Sequence, residues 1–145
     1  MPEGRPETLV TLEAAAREDS VDLLHTLVGS LWEGSPDVGM VDRIRFETAV
    51  IEVMANIIEH AYAIDGTTTT GRRFDVRLRA DAENLVATFA DDGRPCEIDL
   101  SGVQMPDFEA ESGRGLALAV AAVDDLVYTR DGAINHWSIT CRRQE

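Results

Sequence analysis

Residues 48–60 read TAVIEVMANIIEH, the stretch from which the rest of the fold is best interpreted. At about 100° per helical residue, Glu52 and Asn56 lie about 40° apart, one turn above each other on one face. A carboxylate accepts a proton from a nucleophile, and a carboxamide oxygen ligates a hard cation such as Mg²⁺. Taken alone, such a row is more often a solvated helix face. The row begins at Thr48 and continues to His60, opposite an apolar stripe of Val50, Val53, Met54, Ile57 and Ala61.

The segments around this helix alternate between strand and helix patterns without the regular βαβ repeat of a doubly wound sheet. They predict one domain over 1–145, an α/β (α+β) two-layer sandwich whose mixed, mostly antiparallel sheet is covered by helices. Asp81 to Asn84 and Asp131-Gly132 are hairpin turns in this prediction. The predicted elements are strands at 8–12, 73–80, 85–90, 126–130 and 133–142, and helices from Glu18 to Leu31, from about Asp37 to Tyr62, and from Arg114 to Val123.

Asp91-Asp92-Gly93 follows directly after an apolar strand. A carboxylate at that point accepts hydrogen bonds from an exocyclic amine, and glycine lets a ligand approach the backbone closely. Asp and Gly are also ordinary turn residues, so the motif alone does not separate a binding site from a turn.

Gly113-Arg114-Gly115 opens a predicted helix. Free backbone N–H groups and the positive end of a helix favour phosphate, and an arginine adds charge-assisted hydrogen bonds. A lone Gly-x-Gly is common, and this one is not a dinucleotide fingerprint because no strand directly precedes it.

The composition excludes several function classes. The chain has 13 basic and 27 acidic residues among 145, a net charge of −14, and every basic residue is Arg. Such a charge disfavours direct binding of nucleic acid or an anionic membrane. Without Lys there is no Walker-type phosphate loop and no Schiff-base chemistry. Cys96 and Cys141 lack metal-ligand spacing, and no apolar run spans a bilayer, so we expect a cytoplasmic protein with reduced thiols.

Together and in this order, the three motifs resemble the ATP-binding (Bergerat) fold of the gyrase, heat-shock chaperone, histidine kinase and mismatch-repair superfamily. The sequences at 52–62, 91–95 and 113–118 are similar to the nucleotide-binding boxes of the small bacterial anti-sigma-factor serine/threonine kinases. Asp124 to Tyr128 and the last strand with Asn135 also match the usual ending of that family. The resemblance covers nearly the whole chain.

The resemblance implies a site for ATP and Mg²⁺. Asn56 would ligate Mg²⁺ and Glu52 would be the catalytic base. Asp91 would accept from the adenine amine, with Gly93 giving the ring room. Either Ser138 or Thr140 would contact the adenine.

The phosphate side of the site is implied in the same way. Gly113 and Gly115 would present backbone donors, Arg114 would add positive charge, and 95–112 would be a lid. Two positions depart from the pattern: Pro95 replaces a common second glycine, and Glu111 stands where some similar kinases have an Arg.

The family resemblance also implies partners. Its members sequester a sigma factor and phosphorylate a STAS-type anti-anti-sigma protein on Ser/Thr, commonly as homodimers. One alternative is a non-catalytic, nucleotide-gated binding protein. Another is the catalytic module of a two-component histidine kinase, which is disfavoured because nothing around His25 resembles a phospho-accepting helix.

Overall fold

The computed structural model describes residues 7–15, 20–65, 73–93 and 114–144. The predicted segments all form, and their ends move by a few residues. The long helix begins and ends three residues later than predicted, and the first strand and the first helix also end three residues later. The elements are β1 (Thr8–Ala15), α1 (Ser20–Gly34), α2 (Met40–Asp65), β2 (Arg73–Ala80), β3 (Asn84–Asp91), α3 (Arg114–Ala122), β4 (Asp125–Asp131) and β5 (Ile134–Arg142).

The five described strands form one sheet in the order β1-β2-β3-β5-β4. Each neighbouring pair is antiparallel, so the mixed sheet that the sequence predicts is antiparallel throughout its described part. β5 follows β4 through a hairpin and pairs with β3 along its other edge. β3 and β4 therefore lie on opposite sides of β5 and are not neighbours.

The two hairpin turns owe their shape to local chemistry. One carboxylate oxygen of Asp81 accepts the backbone N–H groups of Glu83 and Asn84, both at 2.8 Å. Burial alone would raise the pKa of Asp81, but these backbone donors hold it below its usual value. At the β4–β5 turn Gly132 has φ +61°, a backbone conformation that favours glycine.

Strand alternation separates a buried sheet face from an open one. Along β2, Phe74, Val76, Leu78 and Ala80 are buried, while the residues between them face outward. Helices α1 and α2 pack on the buried face. Full burial of such a side chain is worth about 1.5–3 kcal/mol, so this layer supplies the main stabilisation. The largest fully buried side chains include Leu24, Leu31, Phe46, Met54, Phe89 and Ile139.

Helix α3 lies antiparallel to α2. Arg45 donates through Nε to the carbonyl of Ala122 at 3.0 Å, at the end of α3. Further along α2, Glu52 meets Gly115 at the start of α3. The two helices therefore run in opposite directions, and the first turn of α3 lies beside Glu52.

Arg45 is also the centre of a polar anchor at the far end of these helices. It pairs with the fully buried Asp42 at 3.2 Å and with Asp124 at 3.3 Å. The backbone N–H of Arg142 also donates to Asp124 and, with Arg45, lowers the pKa of this carboxyl. Helices α2 and α3 are thereby fastened to the end of β5.

No helix within the described ranges combines the length and the apolar character that crossing a membrane requires.

Candidate functional site

Asp91 ends β3 with its side chain on the buried face, and only 6% of the residue is exposed. Its Oδ1 accepts two hydrogen bonds, from the backbone N–H of Gly93 and from Nδ2 of Asn135, both at 2.9 Å. Its Oδ2 is buried and has no hydrogen-bond partner within the described part of the chain. A buried carboxylate oxygen without a donor is costly, so this atom is suited to accept from a ligand.

Gly93 is buried beside this carboxylate. A Cβ added there would lie 2.9 Å from Oδ1 of Asp91, closer than non-bonded atoms tolerate. Because Asp91 is held by two hydrogen bonds, it has little freedom to move away. Glycine is therefore required here by close approach.

Asn135 belongs to this site although it is not among the site residues predicted from the sequence. It stands opposite Asp91 in the β3–β5 register and is 2% exposed. Its Oδ1 accepts from the hydroxyl of Tyr128 and from Nη1 of Arg130, the latter at 2.9 Å. The signal that points to it is periodic: it is the polar member of an otherwise apolar face formed with Trp137, Ile139 and Cys141.

The structure does not bring Thr140 to Asp91, and the same holds for Ser138. Thr140 pairs with Val86 and Ser138 pairs with Thr88. Both lie on the open face of the sheet, whereas Asp91 lies on the helix-covered face. Strand side chains alternate between faces, so neither side chain lies on the same face as Asp91, and an adenine contact by either residue stays a prediction.

Glu52 and Gly115 come together through the packing of α2 and α3. A Cβ on Gly115 would collide with Oε2 of Glu52, so the absence of a side chain lets the start of α3 reach the carboxylate. Asn56 lies one turn further along α2 and is partly buried. Glu52 of the Glu-x-x-x-Asn row and Gly115 of the glycine motif thus meet, although they are distant in sequence.

An open groove runs along α2 up to Glu52. Its volume is about 420 Å³, and it is lined by Ile44, Glu47, Thr48, Ile51 and Glu52. Glu52 is therefore accessible from solvent through this groove. A group that exchanges a proton with an incoming substrate must be accessible in this way.

Several predictions lie outside the described residues. They concern Gly113, the side chains of His60 and Arg114, the proposed lid at 95–112 with Pro95 and Glu111, the thiol of Cys96, and the acidic helix opening at Glu18 and Asp19. Arg114 is described only as the first backbone residue of α3. Among the described residues, no group of three His, Cys, Asp or Glu side chains could hold a metal ion by itself.

Comparison with protein families gives a match to the histidine kinase-like ATPase domain over residues 10–140. The chain belongs to this family. The superfamily and the fold that the three motifs indicated are therefore confirmed. Membership of this family implies that the ATPase domain binds ATP. A comparison with curated proteins gave no match.

Among solved structures, the ATPase domain is similar to a crystal structure described as the RsbU and RsbW domains of Rv1364c from Mycobacterium tuberculosis. The TM-score is 0.60 at 19% sequence identity. The match covers 96% of this chain and 33% of the other, so the present chain spans about a third of that protein's length. At this identity the likeness concerns the fold.

Proposed function

We propose that this ATPase domain is a cytoplasmic, ATP-dependent protein serine/threonine kinase and anti-sigma factor. In this proposal it sequesters a sigma factor and phosphorylates a STAS-type anti-anti-sigma protein, and it acts as a homodimer. The motif resemblance at 52–62, 91–95 and 113–118 supports these partners, and the family supports ATP as the phosphoryl donor.

The observation that carries the proposal is the buried carboxylate of Asp91. One oxygen is engaged by two donors of the chain, and the other is buried without a described partner. The exocyclic amine of adenine is a donor of the kind that Oδ2 requires. Gly93, with no side chain, leaves the space beside the carboxylate open to a flat ring.

The arrangement of Glu52 supports the transfer step. Its carboxylate takes the proton from the substrate Ser or Thr hydroxyl, whose oxygen forms a bond to the γ-phosphorus of ATP. The bond between that phosphorus and the β–γ bridging oxygen breaks, and ADP leaves with the electron pair. Glu52 is suited to this role because it lines the open groove and meets the N-terminus of α3. Positioning and charge neutralisation dominate such transfers.

The donor set also fits a magnesium ion. The carboxamide oxygen of Asn56 is a hard ligand, and Mg²⁺ in such sites takes most of its remaining ligands from phosphates and water. When bound, Mg²⁺ would neutralise phosphate charge. The backbone N–H of Gly115, at the positive end of α3, is a donor for phosphate oxygens.

Phosphoryl transfer tests the proposal directly. The full chain is incubated with Mg²⁺, ATP labelled at the γ-phosphate and the STAS-type proteins of the same genome. We expect label on a Ser or Thr of one of them. Glu52→Gln should lower the transfer rate by about 10²- to 10⁴-fold, the usual effect of losing a general base. Glu59→Gln, an exposed carboxylate on the same helix, is the matched control.

Each other outcome has a definite meaning. Transfer that survives Glu52→Gln removes Glu52 from the base role. Tight ATP binding with no transfer to any antagonist replaces the kinase by the non-catalytic, nucleotide-gated binding protein.

A further inference from the structure

The two polar atoms of the Asn135 carboxamide have different partners: the amide nitrogen meets acceptors, and the amide oxygen meets donors. Its Nδ2 donates to Oδ1 of Asp91 at 2.9 Å and to the carbonyl of Gly93 at 3.3 Å. Its Oδ1 accepts from the hydroxyl of Tyr128 and from Arg130. Rotating the amide by half a turn would set Nδ2 against two donors and Oδ1 against a carboxylate, so the donors from β4 fix its orientation.

The same cluster clamps the backbone beyond Asp91. The carbonyl of Gly93 accepts from Nη1 of Arg130 at 3.1 Å as well as from Asn135. Arg130 is itself held by a hydrogen bond from Nε to the carbonyl of Gly132, at 3.1 Å. Residues of the β4–β5 hairpin thus form hydrogen bonds with both the side chain of Asp91 and the backbone carbonyl of Gly93.

These contacts fix the orientation of the Asp91 carboxylate. Asn135 and the N–H of Gly93 both donate to Oδ1, so the carboxylate is held with Oδ2 as the oxygen left for a ligand. A single buried acceptor with a fixed direction favours a base that presents an amine and disfavours one that presents a carbonyl at the same place.

We propose that Asn135 is a positioning and specificity-determining residue, oriented by Tyr128 and Arg130, which fixes Asp91 to select a purine carrying an exocyclic amine. The inference rests on the proposed ATP site. It adds that the selectivity for the amine is set from the β4–β5 hairpin.

The test compares ATP with inosine triphosphate, which carries a carbonyl in place of the amine. Dissociation constants for both are measured by calorimetry on the wild-type chain and on Asn135→Ala. We expect wild type to prefer ATP by at least about tenfold, as for a hydrogen bond to a charged group. In Asn135→Ala the ratio of the two constants should fall by about five- to tenfold, chiefly through weaker ATP binding.

Two further variants sharpen the result. Tyr128→Phe removes one hydroxyl and keeps the ring that packs against Trp137 at 4.7 Å, so a smaller fall of about two- to threefold is expected. His136→Ala alters the neighbouring residue on the open face and should leave the ratio unchanged. If Asn135→Ala does not fold, as judged by thermal unfolding, Tyr128→Phe decides.

A ratio that stays at the wild-type value while both affinities fall together makes Asn135 a merely structural residue and overturns the proposal. Equal binding of both nucleotides by wild type overturns it as well. A wild-type chain that binds no ATP contradicts the proposed function itself, so the two failures are distinguishable.

Discussion

The two ends of the candidate site are built on different principles. At the sheet end, Asp91 is buried and held by Gly93 and Asn135, with donors from β4 behind them. At the helix end, Glu52 is a flexible side chain on the edge of an open groove, placed against Gly115 by helix packing. Recognising a base requires one acceptor in one direction, whereas accepting a proton from an incoming hydroxyl requires access. In the proposed function, the site would be rigid where it recognises the base and open where it accepts the proton.

The largest effect on ATP affinity is expected for Asp91→Asn, at the sheet end of the site. An amide oxygen can still accept from Gly93 and Asn135, but its NH₂ group then occupies the position of Oδ2 and faces the adenine amine with a second donor. We expect ATP affinity to fall by about 100-fold, the upper range for a hydrogen bond to a charged group. Calorimetric titration with ATP measures it.

The control for this variant is its own stability. Asp91→Asn keeps the shape of the side chain, so thermal unfolding should change little. An ATP affinity within about threefold of wild type would contradict the role of Asp91 at the rigid end.

The two glycines give a matched pair, because one methyl group is added in each region. In Gly93→Ala the methyl meets a carboxylate fixed by two hydrogen bonds, and overpacking of this kind costs about 1–3 kcal/mol. We expect ATP affinity to fall by about tenfold or more. In Gly115→Ala the methyl meets the end of a flexible side chain, so Glu52 turns away and ATP affinity stays within about threefold.

The readout that separates the pair is the rate of phosphoryl transfer from bound ATP. Gly115→Ala should lower that rate several-fold by displacing Glu52 while leaving the ATP affinity nearly unchanged. Equal losses of ATP affinity in both variants would remove the distinction between a rigid and an adaptable end.

The smallest effect belongs to Asp124, which lies outside both regions. Its lowered pKa, caused first by the N–H of Arg142 and then by Arg45, means that the charged form stabilises the fold. This contribution is present above the ordinary pKa of 3.8 and is lost as the pH falls through the lower folded value. Asp124→Asn should cost at most about 1 kcal/mol at pH 7, as for exposed ion pairs.

Denaturant unfolding at pH 7 and at pH 3 checks this. The difference between wild type and Asp124→Asn should shrink as the pH falls, while ATP affinity at neutral pH stays unchanged. A difference that grows toward low pH would have the wrong sign for a carboxyl with a lowered pKa.

Local pattern was enough to predict most of the fold. The alternation at β2 gave the observed bounds, and the Asp81 and Gly132 turns followed from short-range chemistry. The ATP-binding superfamily then followed from the three motifs, and the match to the histidine kinase-like ATPase domain over residues 10–140 confirmed it.

The site was less predictable where it depended on register. Ser138 and Thr140 are the sequence-predicted candidates for the adenine contact, but pairing with β3 puts both on the open face. Asn135 stands out in the sequence only as part of the family's usual ending. Its role emerges from three strands whose mutual alignment no local pattern contains.

Helix and strand periods and turn residues act over a few positions, so the chain alone predicts which elements form and which chemical groups are present. Which of these groups meet depends on the tertiary packing. The antiparallel packing of α3 on α2 brings Gly115 to Glu52, and the pairing of β5 with β3 brings Asn135 to Asp91. These contacts join residues far apart in the chain, so they are set by how whole elements bury their apolar faces and satisfy their backbone hydrogen bonds.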